Sequence, residues 1–157
     1  MRISTRIGDN GESLIKGKKI AKDSLLFEVI GTLDELMSFL GLVKAEIKKK
    51  KEKELLLAIQ RDLSQINGVL VGCLNDFKKE KVLRLEKEIT KLEKKLPPIK
   101  KFVYPGESKI ASLFHISRTV CRRAERRVVA LNRKKKIQPA ILSYLNRLSD
   151  LLFLLAF

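Results

Sequence analysis

The chain has 157 residues, of which 45% are hydrophobic and 33% charged, and its formal net charge at pH 7 is +16. This length and balance fit one globular domain and exclude a disordered protein, and the 8 glycines and 4 prolines are too few for a turn-rich β fold. The charge favours an anionic partner such as a polyphosphate, a nucleic acid or a membrane surface, without deciding among them.

Residues 1–26 show no hydrophobic period and are predicted to form an ordered loop with a short extended piece. The glycines of the segment TRIGDNG, at 5–11, permit tight turns that aim backbone amides at an anion. An ordinary turn explains the segment equally well, and it lacks the lysine and hydroxyl residue of a P-loop.

The N-terminus has no apolar stretch typical of a signal peptide, and the longest apolar run, 151–157, is too short to span a bilayer. We therefore expect a cytoplasmic protein without a membrane partner.

The segment 27–157 shows helical periodicity throughout. Thr32 and Glu35 are spaced as a capping box, which predicts that the first helix begins there. Apolar residues at intervals of three and four predict four more helices, at about 55–74, 81–96, 108–131 and from 139 onward. Pro97 and Pro98 end the helix at 81–96, and Pro139 suits a first helical turn. The sequence therefore predicts an all-α fold, a five-helix bundle.

Three residues with reactive side chains lie in these helices. Cys73 and Cys121 fall within apolar patterns, so both are expected to be reduced thiols in the core. His115 is the only histidine, and no second ligand stands at a suitable spacing, so we expect a packing or hydrogen-bonding residue and no transition-metal site.

The fourth helix carries a row of arginines. Arg118, Arg122 and Arg126 are four residues apart and lie along one face. Like charges at this spacing repel each other, and an anionic ligand would relieve the repulsion through forked bonds from guanidinium to phosphate. The alternative is a solvated basic face that Glu125 partly neutralises. Spacing alone does not decide between the two.

Five segments in chain order resemble one family: TRIGDNG at 5–11, EVIGTLDELMSFLG at 28–41, FVYPG at 102–106, HISRTVCRRAERRVVAL at 115–131 and YLNRLSDLLFLLA at 144–156. They are similar to the PduO-type ATP:cob(I)alamin adenosyltransferases. The resemblance implies that the chain transfers the 5′-deoxyadenosyl group of ATP to the cobalt of cob(I)alamin and releases triphosphate. It also implies a single domain, 1–157, in which 1–26 is the ATP-binding loop and 27–157 the helical bundle.

The resemblance further implies a homotrimer, in which ATP and Mg²⁺ lie between the loop of one subunit and the arginine helix of its neighbour. Asp34 and Arg118 match a pair that bridges subunits at the active site, and Arg122 completes the catalytic set. Phe102 matches an aromatic that lines the corrinoid pocket, whereas a lone phenylalanine would by default fill the end of the core. The residues matched to ATP binding are Thr5, Arg6, Gly8, Asp9, Ser13, Lys22, Glu28, Arg122, Arg126 and Asn146.

The chain departs from the family pattern at several positions, which leaves the phosphate contacts and the corrinoid affinity open. These positions include Ile7, Ser24, Leu26, Ile30, Met37 and Glu107. The alternative function is a basic helical protein that binds nucleic acid, and a third is a carrier that has lost activity. Nucleic-acid binding predicts aromatics among the basic residues or a helix-turn-helix spacing. Neither is evident, so no nucleic-acid partner is expected.

Overall fold

The computed structural model describes residues 4, 6, 8–98 and 100–157. Within these ranges it contains an antiparallel hairpin followed by five helices, so the predicted helical bundle is confirmed. The elements are β1 (Glu12–Ile15), β2 (Lys18–Ala21), α1 (Leu25–Glu46), α2 (Lys50–Leu70), α3 (Glu80–Glu93), α4 (Lys109–Asn132) and α5 (Pro139–Leu154). The hairpin is the extended piece expected within 1–26.

The start of α1 lies earlier than the sequence predicted. Ser24 is the N-cap, and its Oγ accepts a hydrogen bond of 3.4 Å from the amide of Phe27. Thr32 lies inside the helix, where its hydroxyl donates to the carbonyl of Glu28 at 2.6 Å. The predicted capping box at Thr32 is therefore wrong. Helix formation before Thr32 buries Val29 completely in the core, which outweighs the low helix propensity of the residues around it.

The helices pack around one continuous core. α1 lies against both α2 and α4, α4 lies against α5, and α5 lies against α3. Their buried faces consist mainly of leucine, isoleucine and valine side chains, as the periodicity predicted.

A buried carboxylate connects α2 to α3 and α5. Asp62 is 1% exposed, and it accepts hydrogen bonds of 2.8 Å from the hydroxyl of Tyr144 and 2.5 Å from Nζ of Lys81. Arg84 makes a further ion pair with the same carboxylate. Several donors thus offset the cost of removing this charge from water.

Each end of the bundle carries a distinct set of loops. At one end the hairpin meets the end of α2, where Nζ of Lys16 donates to the carbonyl of Gly72. The α4–α5 connection lies at the same end, because Nζ of Lys135 reaches the carbonyl of Leu70 at 3.3 Å. At the opposite end, Lys109 at the start of α4 pairs with Glu46 at the end of α1 at 2.8 Å. The loop before α4 therefore lies far from the hairpin.

The two cysteines differ in environment. Cys121 is fully buried, as predicted, but Cys73 is exposed. Cys73 lies beyond the last residue of α2 and follows Gly72, whose φ of 75° turns the chain out of the helix. The prediction of a core thiol at Cys73 is therefore wrong.

In the part of the chain that the structure describes, no helix combines the length and the apolarity needed to cross a bilayer.

Candidate active site

The arginines of α4 are divided between two tasks. Arg127 lies 2.6 Å from the carboxylate of Glu28 and donates to the hydroxyl of Thr32. Arg123 forms an ion pair with Glu35. These arginines therefore hold α4 against α1. Glu28, which the sequence analysis matched to ATP, is engaged by Arg127, and its contact with ATP stays a prediction.

Arg122 and Arg126 lie on the other side of the helix, are exposed, and form no ion pair with any described residue. They face a cleft of about 480 Å³ between α4 and α5, lined by Arg122, Glu125, Arg126, Val129, Ala130, Arg133 and Asn146. The alternative of a basic face neutralised by Glu125 is not supported, because within the described ranges Glu125 pairs with neither arginine. Unneutralised guanidinium groups facing a cleft are suited to bind a polyphosphate.

Asn146 faces the same cleft from α5. Its Nδ2 donates to Oε1 of Glu125 at 2.9 Å, and its Oδ1 accepts from the guanidinium of Arg147. Arg147 in turn lies 2.8 Å from the carboxylate of Asp150. The structure therefore brings Asn146 together with Arg122 and Arg126, as the sequence analysis expected.

Cys121 and Tyr144 are buried behind the cleft, and neither is a reactive base. The thiol of Cys121 donates to the carbonyl of Leu145 at 3.3 Å, and burial, reinforced by the charge of Glu125, raises its pKa far above the usual range. Burial and the neighbouring Asp62 carboxylate likewise raise the pKa of Tyr144. Both groups stay protonated and neutral near pH 7.

Arg118 lies one turn before Arg122, among aromatic side chains. Its guanidinium carbon is 5.8 Å from the ring centroid of Phe153, and its Nε is buried without a hydrogen-bond partner among the described residues. His115 is 5% exposed, and its ring lies 6.0 Å from the same phenylalanine. Burial, and then the charge of Arg118, lowers the pKa of His115. His115 is thus the packing residue that the sequence predicted.

Asp34 is exposed on α1 and forms no ion pair within the described parts of this chain. Its predicted pairing with Arg118 of another subunit stays a prediction.

The N-terminal loop gathers several of the residues matched to ATP. Nζ of Lys22 donates to the carbonyl of Gly8 at 2.6 Å, and a Cβ at Gly8 would lie 2.8 Å from that nitrogen. A side chain at position 8 would therefore require the end of Lys22 to shift. The amide of Lys22 also donates to the carbonyl of Gly11 at 2.8 Å, which closes the loop at the base of the hairpin.

The other loop residues surround this turn. Asp9 is exposed, Ser13 pairs with Ile20 in the hairpin, and Arg6 has a φ of 58°, an uncommon conformation for a residue with a side chain. Thr5 lies outside the described residues. No hydrogen bond or ion pair between described residues joins the loop to the α4–α5 cleft. Within one chain, the described residues of the two predicted groups of ATP ligands therefore make no direct polar contact with each other.

Phe102 and Tyr104 project from the loop before α4. They are 78% and 79% exposed, and their ring centroids lie 5.0 Å apart in an edge-to-face arrangement. The alternative that Phe102 fills the end of the core is therefore wrong. The assignment of Phe102 to the corrinoid pocket stays a prediction.

Two features of the cleft, Arg133 and the hydrogen bond of Glu125, were not predicted from the sequence. Arg133 lines the cleft, and it follows Arg122 by eleven residues, which is three helical turns, so the helical period alone could have placed it on that face. The hydrogen bond from Asn146 to Glu125 joins two helices, and no signal within either helix predicts it.

Comparisons with known proteins agree on one family. The family model for cobalamin adenosyltransferase matches residues 3–157. The corrinoid adenosyltransferase of Bacillus subtilis is 45% identical over 98% of this chain and 83% of its own length. The human corrinoid adenosyltransferase MMAB is 38% identical over 99% of this chain and 67% of its own length.

Solved structures extend the likeness to the fold. A variant of the PduO-type ATP:corrinoid adenosyltransferase of Lactobacillus reuteri, complexed with cobalamin and ATP, aligns with a TM-score of 0.91 and 33% identity. The alignment covers 99% of this chain and 91% of that one. Another variant from the same organism, complexed with ATP, aligns with a TM-score of 0.92 and 34% identity over 98% and 91% of the two chains.

Proposed function

The chain belongs to the cobalamin adenosyltransferase family, and on that premise we propose which of its residues bind the two substrates. The protein is an enzyme that transfers the 5′-deoxyadenosyl group of ATP to the cobalt of cob(I)alamin. The observation that carries the assignment of residues is the cleft in which unneutralised Arg122 and Arg126 face Asn146.

The reaction is a displacement at the 5′ carbon of the ribose. The electron pair of cobalt(I) forms the cobalt–carbon bond, the bond from carbon to the triphosphate oxygen breaks, and that oxygen takes the bonding pair. No proton moves in this step, so no general base is needed. The neutral thiol of Cys121 and phenol of Tyr144 are consistent with such a site.

Arg122 and Arg126 bind the triphosphate and stabilise the charge that develops as it leaves. Cationic groups placed where negative charge develops in the transition state can make a large electrostatic contribution to the rate. Asn146 binds ATP from α5. The enzyme otherwise acts by orienting two substrates, because cobalt(I) is itself a very strong nucleophile.

The loop residues bind the phosphates from a neighbouring subunit in a homotrimer. This proposal accounts for the lack of polar contacts between the described loop residues and the cleft of the same chain, since the loop of a second copy would complete the site. The residues assigned to this role are Thr5, Arg6, Gly8, Ser13 and Lys22. Asp9 and Glu28 are assigned to ATP as well, but not to its phosphates, because a carboxylate repels them. Asp34 and Arg118 bridge the same subunits.

Mg²⁺ accompanies the ATP. The described residues contain no cluster of three or more side chains suited to hold a metal, and Mg²⁺ commonly binds substrate phosphates together with one or two carboxylates. The exposed carboxylate of Asp9 fits that donor set. When bound, the metal would neutralise part of the triphosphate charge.

The enzyme works in the cytoplasm, and residues 1–157 form one domain.

The corrinoid lies against Phe102. An exposed aromatic ring suits the underside of a flat macrocycle, where it would exclude a lower ligand from cobalt. Cobalt without that ligand is easier to reduce to the nucleophilic state.

The test mixes the protein with ATP, Mg²⁺ and chemically reduced cobalamin. We expect the absorption spectrum of a light-sensitive alkylated corrinoid, and an unchanged spectrum with folded protein would contradict the function.

A second experiment tests whether active sites lie between subunits, by mixing Lys22→Ala with Arg122→Ala subunits. Activity above that of either variant is expected, because some mixed sites carry neither change, and its absence despite confirmed exchange would contradict sites between subunits.

A further inference from the structure

Glu125 is a carboxylate in a cleft that is otherwise cationic. It shares the cleft with Arg122, Arg126 and Arg133, and a negative charge beside a triphosphate is unfavourable. Its simplest role would be to neutralise one of these arginines, but no ion pair joins Glu125 to any described residue. Its hydrogen bond instead runs across the helix interface to Nδ2 of Asn146, at 2.9 Å. Glu125 therefore acts on α5.

The amide of Asn146 is held from both sides by groups of opposite character. Glu125 can only accept a hydrogen bond, and Arg147 can only donate one. A rotation of the amide by 180° would therefore set donor against donor and acceptor against acceptor. Asp150, at 2.8 Å from the guanidinium, fixes Arg147 in turn. Asn146 consequently presents one defined orientation to the cleft.

The hydrogen-bonding capacity that remains on Asn146 indicates what it binds. An amide offers two donor hydrogens and an oxygen with two lone pairs, and Glu125 and Arg147 each use one of these. One donor and one acceptor remain. An ionised phosphate oxygen only accepts, whereas a ribose hydroxyl and the adenine amine also donate. The nucleoside uses both remaining positions, and it also tolerates the nearby charge of Glu125 better than a phosphate does.

We propose that Glu125 and Arg147 are positioning residues that fix the Asn146 amide to receive the nucleoside end of ATP, while Arg122 and Arg126 receive the triphosphate. The inference rests on the proposed function, because it takes ATP as the ligand of the cleft. It adds Glu125 and Arg147 to the site. It also specifies how ATP is oriented in the cleft, with its nucleoside at Asn146.

The experiment compares ATP with inorganic tripolyphosphate, which shares only the phosphates. Asn146→Ala and Glu125→Ala are each expected to raise KM for ATP about tenfold, the scale of one lost hydrogen bond in a binding site. The inhibition constant of tripolyphosphate should change less than twofold, roughly the scatter of near-neutral substitutions. Glu125→Gln should have a smaller effect than Glu125→Ala, because it keeps an acceptor oxygen. Arg147→Met should raise KM less than Asn146→Ala does.

The double variant Glu125→Ala/Asn146→Ala separates positioning from direct binding. If Glu125 acts only through Asn146, the double variant should match Asn146→Ala alone. Glu86→Gln and Arg61→Met serve as matched controls, because these exposed residues on α3 and α2 lie away from the cleft. Both controls should keep the KM of the unmodified enzyme. Melting temperatures of all variants identify any loss of folding.

Four outcomes would overturn the inference. If Glu125→Ala raises KM for ATP as much in the Asn146→Ala background as it does alone, Glu125 acts independently of Asn146. An equal rise in the tripolyphosphate inhibition constant would place phosphates at Asn146. Normal KM for Glu125→Ala and Glu125→Gln, with Asn146→Ala impaired, would remove the positioning role and leave the proposed function intact. Normal KM for Asn146→Ala would contradict both the inference and the assignment of Asn146 above.

Discussion

The guanidinium of Arg127 lies 2.6 Å from the carboxylate of Glu28, which ties the C-terminal part of α4 to the first turn of α1. Arg122 and Arg126 have no such partner among the described residues, although they belong to the same run of basic residues. The helix therefore combines arginines that hold it against α1 with arginines that face the cleft between α4 and α5. Substitutions on its two sides should have different consequences.

Arg122→Ala should reduce kcat about 100-fold or more, the scale seen when one group that stabilises developing charge is removed. The fold should survive, because Arg122 is exposed and the apolar face of α4 is separate from it. Arg127→Ala should instead lower the free energy of unfolding by about 0.5–1 kcal/mol, since its ion pair with Glu28 is partly exposed. Steady-state kinetics and denaturant unfolding of both variants provide the test. Near-normal kinetics for a folded Arg122→Ala protein would contradict the role of Arg122.

Asp34 and Arg118 should be coupled across subunits. Each single substitution to alanine should reduce activity, and exchanging the two charges should recover part of it, because the pair would be rebuilt in reverse. The interaction energy expected for residues in contact is about 0.5–3 kcal/mol. A double-mutant cycle on kcat/KM measures it. Additive losses would remove this pair from the active site.

Phe102→Ala should slow adenosylation strongly when the enzyme must capture cobalt(II) cobalamin and have it reduced in the site. The loss should be much smaller for a corrinoid without a lower base, or for one supplied as cobalt(I), because there is then no axial ligand to exclude. Turnover with each of these substrates makes the comparison.

The control for Phe102 is Tyr104→Ala, since the two rings are almost equally exposed. Neither change should lower the melting temperature, because little of either ring is buried. Equal loss of turnover on every corrinoid would show that Phe102 has no part in removing the lower ligand.

His115 should make folding stability depend on pH. Its pKa in the folded protein lies below the ordinary value of 6.5, mainly because of burial. The unfolded chain therefore binds more protons as pH falls through 6.5, and the stability that is fully present above this pH is progressively lost below it. His115→Phe should reduce the stability difference between pH 7 and pH 5. Denaturant unfolding of both proteins at the two pH values tests this. If both proteins lose the same free energy of unfolding between pH 7 and pH 5, His115 does not contribute.

The positions of the helices could be read from the sequence because burial of an apolar face sets their period. The start of α1 could not, since the packing of Val29 against the core lies outside any local signal. The burial predicted for Cys73 is wrong because the apolar pattern of α2 extends in the sequence beyond Gly72, whereas the backbone leaves the helix there. The division between Arg122 and Arg127 depends on carboxylates in α1, so the spacing within α4 could not reveal it.

The contrast between the two cysteines makes the protein suited to site-specific labelling. Cys73 is exposed and Cys121 is fully buried, so a maleimide dye would modify the former without any substitution. The label would sit next to Gly72, whose carbonyl accepts the hydrogen bond from Lys16 in the hairpin. Fluorescence from this position would follow the hairpin as ATP enters the neighbouring loop. It would also separate nucleotide binding from the colour changes of the corrinoid during turnover.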